Sequence, residues 1–251
     1  MAIVNPMAVS VEHLDFRYPG SEDVLLSGLN LAIAKGESFG LFGPNGAGKT
    51  TLMNLMTGVL KPSAGEISLL GHKMGGSGKK VNRLFGFVPQ DFSFYRELSA
   101  VENLEFYGAW AGLDSKRTKK RTAELLSILG LEDVKDKEVG KFSGGMKRRI
   151  NLAIGVIHNP SILFLDEPTV GVDVQTRHAI ISYLKELNDN GTTLIYTSHQ
   201  LSEAETLCRQ MALIDSGKII AEGTLEELSK KYKKKSLEEL FISLTGKEFR
   251  D

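Results

Sequence analysis

The stretch Gly43-Pro44-Asn45-Gly46-Ala47-Gly48-Lys49-Thr50-Thr51 limits what this chain can fold into more than any other. It fits the pattern G-x-x-x-x-G-K-[ST], with Gly43, Gly48, Lys49 and Thr50 at the fixed positions. Upstream, Glu37 to Phe42 reads as a short buried strand. Downstream, Thr51 to Met56 reads as the first turns of a helix that stops at Gly58. Glycines let successive backbone N–H groups curl inward toward phosphate oxygens. The helix N-terminus adds a dipole that favours an anion. Lys49 would then reach the β- and γ-phosphates, and the Thr50 hydroxyl would ligand Mg²⁺. With glycine near 7% of residues, a chance match in a chain this long is on the order of 1%. The stretch implies a site for a nucleoside triphosphate.

Composition narrows the setting. At 251 residues the chain can bury a substantial core as one large domain or two lobes. Lys+Arg 31 against Asp+Glu 31 leaves no global charge to attract nucleic acid or anionic lipid. Cys208 is the single cysteine, which excludes an intramolecular disulfide or a Cys-based metal cluster and suits a reducing cytosol. Met1 to Pro6 lacks the basic and apolar regions of a signal peptide. No apolar run approaches the roughly 18 to 20 residues that span a bilayer. A soluble chain is expected.

Strand patterns at Val9 to Phe16, Leu25 to Ile33, Glu66 to Leu70 and Leu84 to Val88 occupy the first third, with His72 to Lys80 read as a loop. From Ser99 to His158 the pattern is helical and charged, with Ser99 and Glu102 forming a capping box, then Ser115 to Leu129 and Ser143 to Ile157. Lys116, Arg117, Lys119, Lys120 and Arg121 read as a solvated face. Apolar strands return at Ile162 to Leu165 and Thr192 to Thr197, alternating with helices at Val174 to Asn188 and Ser202 to Cys208. A β-rich piece, Met211 to Ala221, and two short helices after Thr224 complete the chain. Strand–helix alternation implies a largely parallel sheet covered on both faces.

Two further stretches carry chemistry. Ile162-Leu163-Phe164-Leu165-Asp166-Glu167 is an apolar strand ending in two carboxylates, whose side chains point to opposite sides. Asp166 would hold the metal, and Glu167 would polarise the attacking water as general base. At Ser143-Gly144-Gly145-Met146-Lys147-Arg148-Arg149 local rules conflict. Ser143 is a good N-cap, but two glycines weaken the first turn and three cations oppose the helix dipole. Either an anion docks at the exposed N–H groups, or this is a capped helix with a basic exposed face.

Together these residues resemble the ATP-binding cassette (ABC) transporter ATPases over nearly the whole chain. Phe142-Ser143-Gly144-Gly145-Met146 is similar to that family's signature L-S-G-G-Q, with Phe and Met as departures. Gln90 sits at the Q-loop position, Asp173 at the D-loop position, His199 at the switch histidine and Tyr18 at the adenine-stacking aromatic. The resemblance implies an α/β P-loop NTPase core with a mostly parallel sheet, an N-terminal antiparallel β portion and an inserted helical lobe. It divides one domain into core 1–90 and 159–223, helical lobe 91–158 and helical tail 224–251. It implies ATP and Mg²⁺ as cofactors, with Tyr18, Gly43 to Thr51, Gln90, Ser143, Gly144 and Gly145 on the nucleotide. Thr50, Gln90 and Asp166 would serve the metal, and Lys49, Glu167 and His199 the chemistry. Ser143 to Gly145 would face a second copy's phosphates in a head-to-tail pair, a homodimer or a heterodimer.

The short helical lobe, the Met form of the signature and the tail Ser236 to Phe241 with Leu244-Thr245-Gly246 resemble exporter ATPases of the drug, polysaccharide and sodium type. That implies a separate transmembrane permease subunit as partner, a peripheral position on the inner face of the cell membrane and no nucleic acid. Aromatics from Phe92, Phe94 and Tyr95 through Tyr107 and Trp110 would either receive a short helix of the permease or form the lobe's own core. Lys230 to Lys235 reads as a solvated basic run. Two other readings fit the same motifs. One is a non-transport ABC ATPase on ribosomes or DNA, although paired cassettes and a long coiled-coil insertion are both missing. The other is an ATP-dependent binding switch without turnover, against which Glu167 and His199 both stand.

Overall fold

The computed structural model describes residues 6–75, 81–198, 201–234 and 236–246. His199 lies outside them, as do 1–5, 76–80 and 247–251. Two sheets form the body. The smaller is antiparallel, in the order β2 (Leu26–Ala34), β1 (Met7–Phe16), β4 (Ala64–Leu69), β5 (His72–Lys73). Part of the stretch read as a loop therefore pairs as a two-residue strand, His72 lying opposite Leu69. The larger sheet runs β10 (Lys218–Gly223), β9 (Gln210–Asp215), β3 (Ser38–Phe42), β8 (Thr193–Ser198), β7 (Ile162–Asp166), β6 (Phe85–Val88). All its pairings are parallel except β9 with β10 at one edge.

The central strands β3, β7 and β8 are buried at every position, which is why their sequences are mostly apolar without strict alternation. Their side chains nevertheless sort with period two. Ile162, Phe164 and Ile195 join Phe39 and Leu41 under the antiparallel sheet and α1 (Lys49–Met56). Leu163, Leu165, Leu194 and Tyr196 face the other way. There they meet residues from α2 (Ala100–Trp110), α3 (Ser115–Ile128), α4 (Gly144–Val156) and α5 (Val174–Asp189). Helix α6 (Leu201–Leu207) follows β8, and α7 (Leu225–Tyr232) and α8 (Leu237–Thr245) close the chain. Among the described residues no helix is long and apolar enough to cross a membrane.

Caps set the helix starts. Ser99 and Glu102 make the expected reciprocal capping box on α2. Asp114, Ser143 and Asp173 cap α3, α4 and α5 through side-chain oxygens that accept from the N–H of the third helical residue. One side chain departs from the sequence expectation. Arg121 turns inward from the otherwise solvated α3 face, donating to Tyr183 Oη at 3.2 Å and lying 3.3 Å from Glu124 Oε2. Of the two alternatives open for the aromatics, Phe94 takes the core one, at 8% exposed.

One close approach seats the sheet on α4. A Cβ at Gly86 would lie 2.0 Å from the Gly155 carbonyl oxygen, so β6 touches α4 backbone to side. Gly86→Ala should therefore cost about 1–3 kcal/mol through overpacking. Urea unfolding of the purified variant should give a lower midpoint with an unchanged slope; a parent-like midpoint would refute the contact.

Candidate nucleotide site

The parallel strands β3, β6, β7 and β8 end at one rim, and the candidate residues follow their C-terminal ends. Such a rim is where open α/β sheets bind ligands. After β3 the chain enters the loop from Gly43. Gly48 sits at φ 106°, where an L side chain is strained, and a Cβ at Gly43 would meet the Ile214 carbonyl oxygen at 2.1 Å. Lys49 opens α1 and is buried, its Nζ donating to the Gly43 carbonyl at 2.7 Å and the Pro44 carbonyl at 3.1 Å. Burial lowers its pKa, while Glu167 and Asp166 pull the other way. The ammonium is thus folded onto its own loop. Thr50 and Asn45 stay exposed. Tyr18 reaches the loop from the antiparallel sheet, its hydroxyl 2.9 Å from Thr51 Oγ1 and its ring edge-on to Phe16.

At the end of β7, Asp166 is 1% exposed and accepts from Thr197 Oγ1 at 2.6 Å. Burial raises its pKa, opposed by hydrogen bonds from Thr197 and Thr50. Glu167 then takes φ 50°, a left-handed backbone costing about 1–2 kcal/mol in a non-glycine residue. Its N–H is held 3.2 Å from both the Thr197 carbonyl oxygen and Oγ1. The turn sends the Glu167 carboxylate toward the end of β6, where Gln90 Nε2 donates to Oε2 at 3.2 Å. The structure thus brings the loop, Gln90, Asp166 and Glu167 to one rim. Ser143, Gly144 and Gly145 lie apart from it. The nearest neighbours of a Cβ at Gly144 or Gly145 come from Gly171, Asp173 and Thr176.

Sequence reasoning missed several neighbours. Of the three cations after the signature, Arg148 is buried and Arg149 binds the Leu129 carbonyl at 2.8 Å, so no continuous basic face exists there. Glu203, in α6, is 5% exposed. Its Oε2 accepts from Thr169 Oγ1 at 2.8 Å, Tyr196 Oη at 2.5 Å and Ser198 Oγ at 3.0 Å, with Arg177 Nε 3.3 Å from Oε1. This cluster ties the segment after β7 to the end of β8. Burial, then the Glu203 charge, pushes the Tyr196 hydroxyl well above its ordinary pKa. Only the polar residues inside an apolar strand, Tyr196 and Thr197, hinted at it.

A glycine-rich loop between a central parallel strand and a helix, beside an acidic strand end, defines a P-loop nucleoside triphosphatase. The family profile described as ABC transporter matches residues 26–170, and the chain belongs to that family. It is an ATP-binding, ATP-hydrolysing subunit of the family. The linearmycin resistance ATP-binding protein LnrL of Bacillus subtilis (strain 168) is 41% identical over 225 residues, 90% of this chain and 72% of its own. A daunorubicin resistance ATP-binding protein, DrrA3 of Streptomyces coeruleorubidus, is 38% identical over 88% of this chain and 69% of its own. A solved ATP-binding subunit of an ABC transporter superposes with TM-score 0.88 at 28% identity, covering 95% of this chain and 99% of that one. A dimeric ATP-binding cassette in a post-hydrolysis state with ADP and Pi superposes with TM-score 0.79 at 28% identity, covering 86% and 98%.

Asp166 gives a pH prediction. Its folded pKa lies above the ordinary value of 3.8, so burying the charge destabilises the fold above that pH and ceases to matter below it. Asp166→Asn, measured without nucleotide, should therefore melt higher than the parent at pH 7. The gain should shrink as the pH falls toward 4; a lower melting point for Asp166→Asn at pH 7 would contradict the burial argument.

Proposed function

We propose that the chain powers an exporter, hydrolysing ATP at the rim built by Gly43 to Thr51, Gln90, Asp166 and Glu167. The observation that carries the reading is the 3.2 Å contact between Gln90 Nε2 and Glu167 Oε2 beside a buried Lys49. The loop N–H groups and Lys49 hold the β- and γ-phosphates, Lys49 exchanging its carbonyl partners for phosphate oxygens. Tyr18 stacks on the adenine. Among the described residues no group of three or more His, Cys, Asp or Glu could cage a metal alone. The Asp166 carboxylate, Thr50 hydroxyl and Gln90 amide are hard oxygen donors that fit Mg²⁺ completed by phosphate oxygens and water. Bound Mg²⁺ neutralises charge on the transferred phosphoryl group. Glu167 takes the proton of the attacking water, oriented by Gln90. His199 serves the γ-phosphate.

In a head-to-tail pair Ser143, Gly144 and Gly145 close the partner's site, their N–H groups at the start of α4 meeting its phosphates. The dimeric solved cassette supports pairing of two copies. The resistance proteins and a Nod factor export ATP-binding protein of Ralstonia nicotianae, 39% identical over 88% of this chain, support export. The transmembrane permease is a separate chain, which holds this subunit on the inner face of the cell membrane. Its docking place is a 740 Å³ groove lined by Phe85, Phe87, Tyr107, Trp110, Ile154 and His158. Trp110 is 76% exposed on its rim, its ring edge-on to Tyr107, and residues 91–158 act as the lobe that receives the permease.

Glu167→Gln keeps shape but takes no proton, so turnover should fall about 10²-fold or more while ATP still binds. The closed dimer should then accumulate on size-exclusion chromatography with ATP and Mg²⁺. Parent-rate hydrolysis by Glu167→Gln would remove Glu167 as base. Trp110→Ala should lower permease affinity on the order of 10-fold or more, as for a hot-spot aromatic, without changing ATP affinity. Unchanged co-purification would move the docking place elsewhere.

A further inference from the structure

Arg148 is 8% exposed in the second turn of α4. A buried guanidinium is expensive unless its donors and charge are met. Here its Nη1 donates to the Gln90 carbonyl at 2.5 Å and its Nε to the Val170 carbonyl at 3.2 Å. Its Cζ lies 4.8 Å from the centre of the Phe92 ring, within cation–π range. Glu167 and Asp91 favour the charged form against the effect of burial.

Three segments therefore converge on one side chain: the residues after β6, the residues after β7, and the helix that begins at the signature. Gln90 is held twice. Its carbonyl is bound by Arg148 and its side-chain amide by Glu167. We propose that Arg148 is a positioning residue for ATP hydrolysis, fixing the Gln90 backbone from α4 so that the Gln90 amide reaches Glu167. The proposal rests on the reading of Glu167 as the base. It also gives α4 a mechanical role. Ser143, which meets the partner's nucleotide, and Arg148, which holds this copy's Gln90, are about 7.5 Å apart along one rigid helix. Displacement of the signature by the partner's nucleotide is thereby carried to this copy's own catalytic pair. A lysine at this place could bind one carbonyl but not fork between two.

The test is a double-mutant cycle of Arg148→Met with Gln90→Ala on ATP turnover in the full chain, with ATP affinity and melting point measured on each protein. Arg148→Met should lower kcat about 10-fold with Gln90 present, and less than about twofold in the Gln90→Ala background. Replacing Arg148 should change ATP affinity by less than about twofold relative to the protein with the same residue at position 90, and Arg148→Lys should fall between parent and Met in kcat. If Arg148→Met does not fold, Arg148→Lys carries the same cycle. Equal losses of kcat in both backgrounds, as a purely structural role would give, would overturn the proposal. So would a loss in affinity alone, or a Gln90→Ala protein with parent kcat, since Arg148 would then have nothing to act through. Failure of Glu167 as base is read separately, in the turnover of Glu167→Gln.

Discussion

A buried lysine beside two buried carboxylates is the constraint on which the rest depends. Lys49, Asp166 and Glu167 come from α1 and the end of β7, and each is costly to bury alone. Only adjacent parallel strands ending at one rim can bring them together, and β3, β8 and β7 are adjacent in that order. The fully buried central strands hold this rim in register, Phe39 opposite Ile195 and Phe164 opposite Ile195. Stability is given up at the rim in return. Asp166 is desolvated and Glu167 sits in a left-handed backbone, both expected where function outweighs local preference.

The loop from Gly43 and the strand ending in Asp166-Glu167 were legible because each is short, contiguous and ruled by local chemistry. The same holds for the helix caps at Ser99 and Ser143, where one side chain meets the third residue on. What could not be read was the use of cations and polar groups across segments. Arg121, Arg148 and Arg149 look alike in a charged run, yet each is bound to a carbonyl or hydroxyl far away in sequence. Nothing in the sequence singles out Glu203, yet Thr169, Tyr196 and Ser198 surround it. No periodicity records such pairings, since they arise from the packing of elements. Phe94 and Trp110 make the same point: similar aromatics, one in the core and one exposed.

Those hidden contacts link the rim to the rest of the molecule. Glu203 joins the end of β8 to the segment after β7, and Arg148 joins that segment to Gln90 and the signature helix. Glu203 is 5% exposed, so loss of the hydroxyls that donate to it would leave a buried charge poorly met. These bonds brace the rim. Beside α4 runs the groove proposed for the permease, lined by Ile154 of α4 and by His158 just beyond it. In the proposed pair, one helix would border the partner's nucleotide, this copy's Gln90 and that groove.

The central claim is that each ATP site is shared, with the Lys49 loop from one copy and Ser143 from another. Mixing two defective proteins tests it most directly. A Lys49→Ala subunit and a Ser143→Arg subunit should each be inactive alone. Their mixed dimer contains one site built from the intact loop of one and the intact signature of the other. ATP hydrolysis should return on mixing, up to about a quarter of the parent rate if subunits pair at random. A mixture no more active than either protein alone would contradict the shared site.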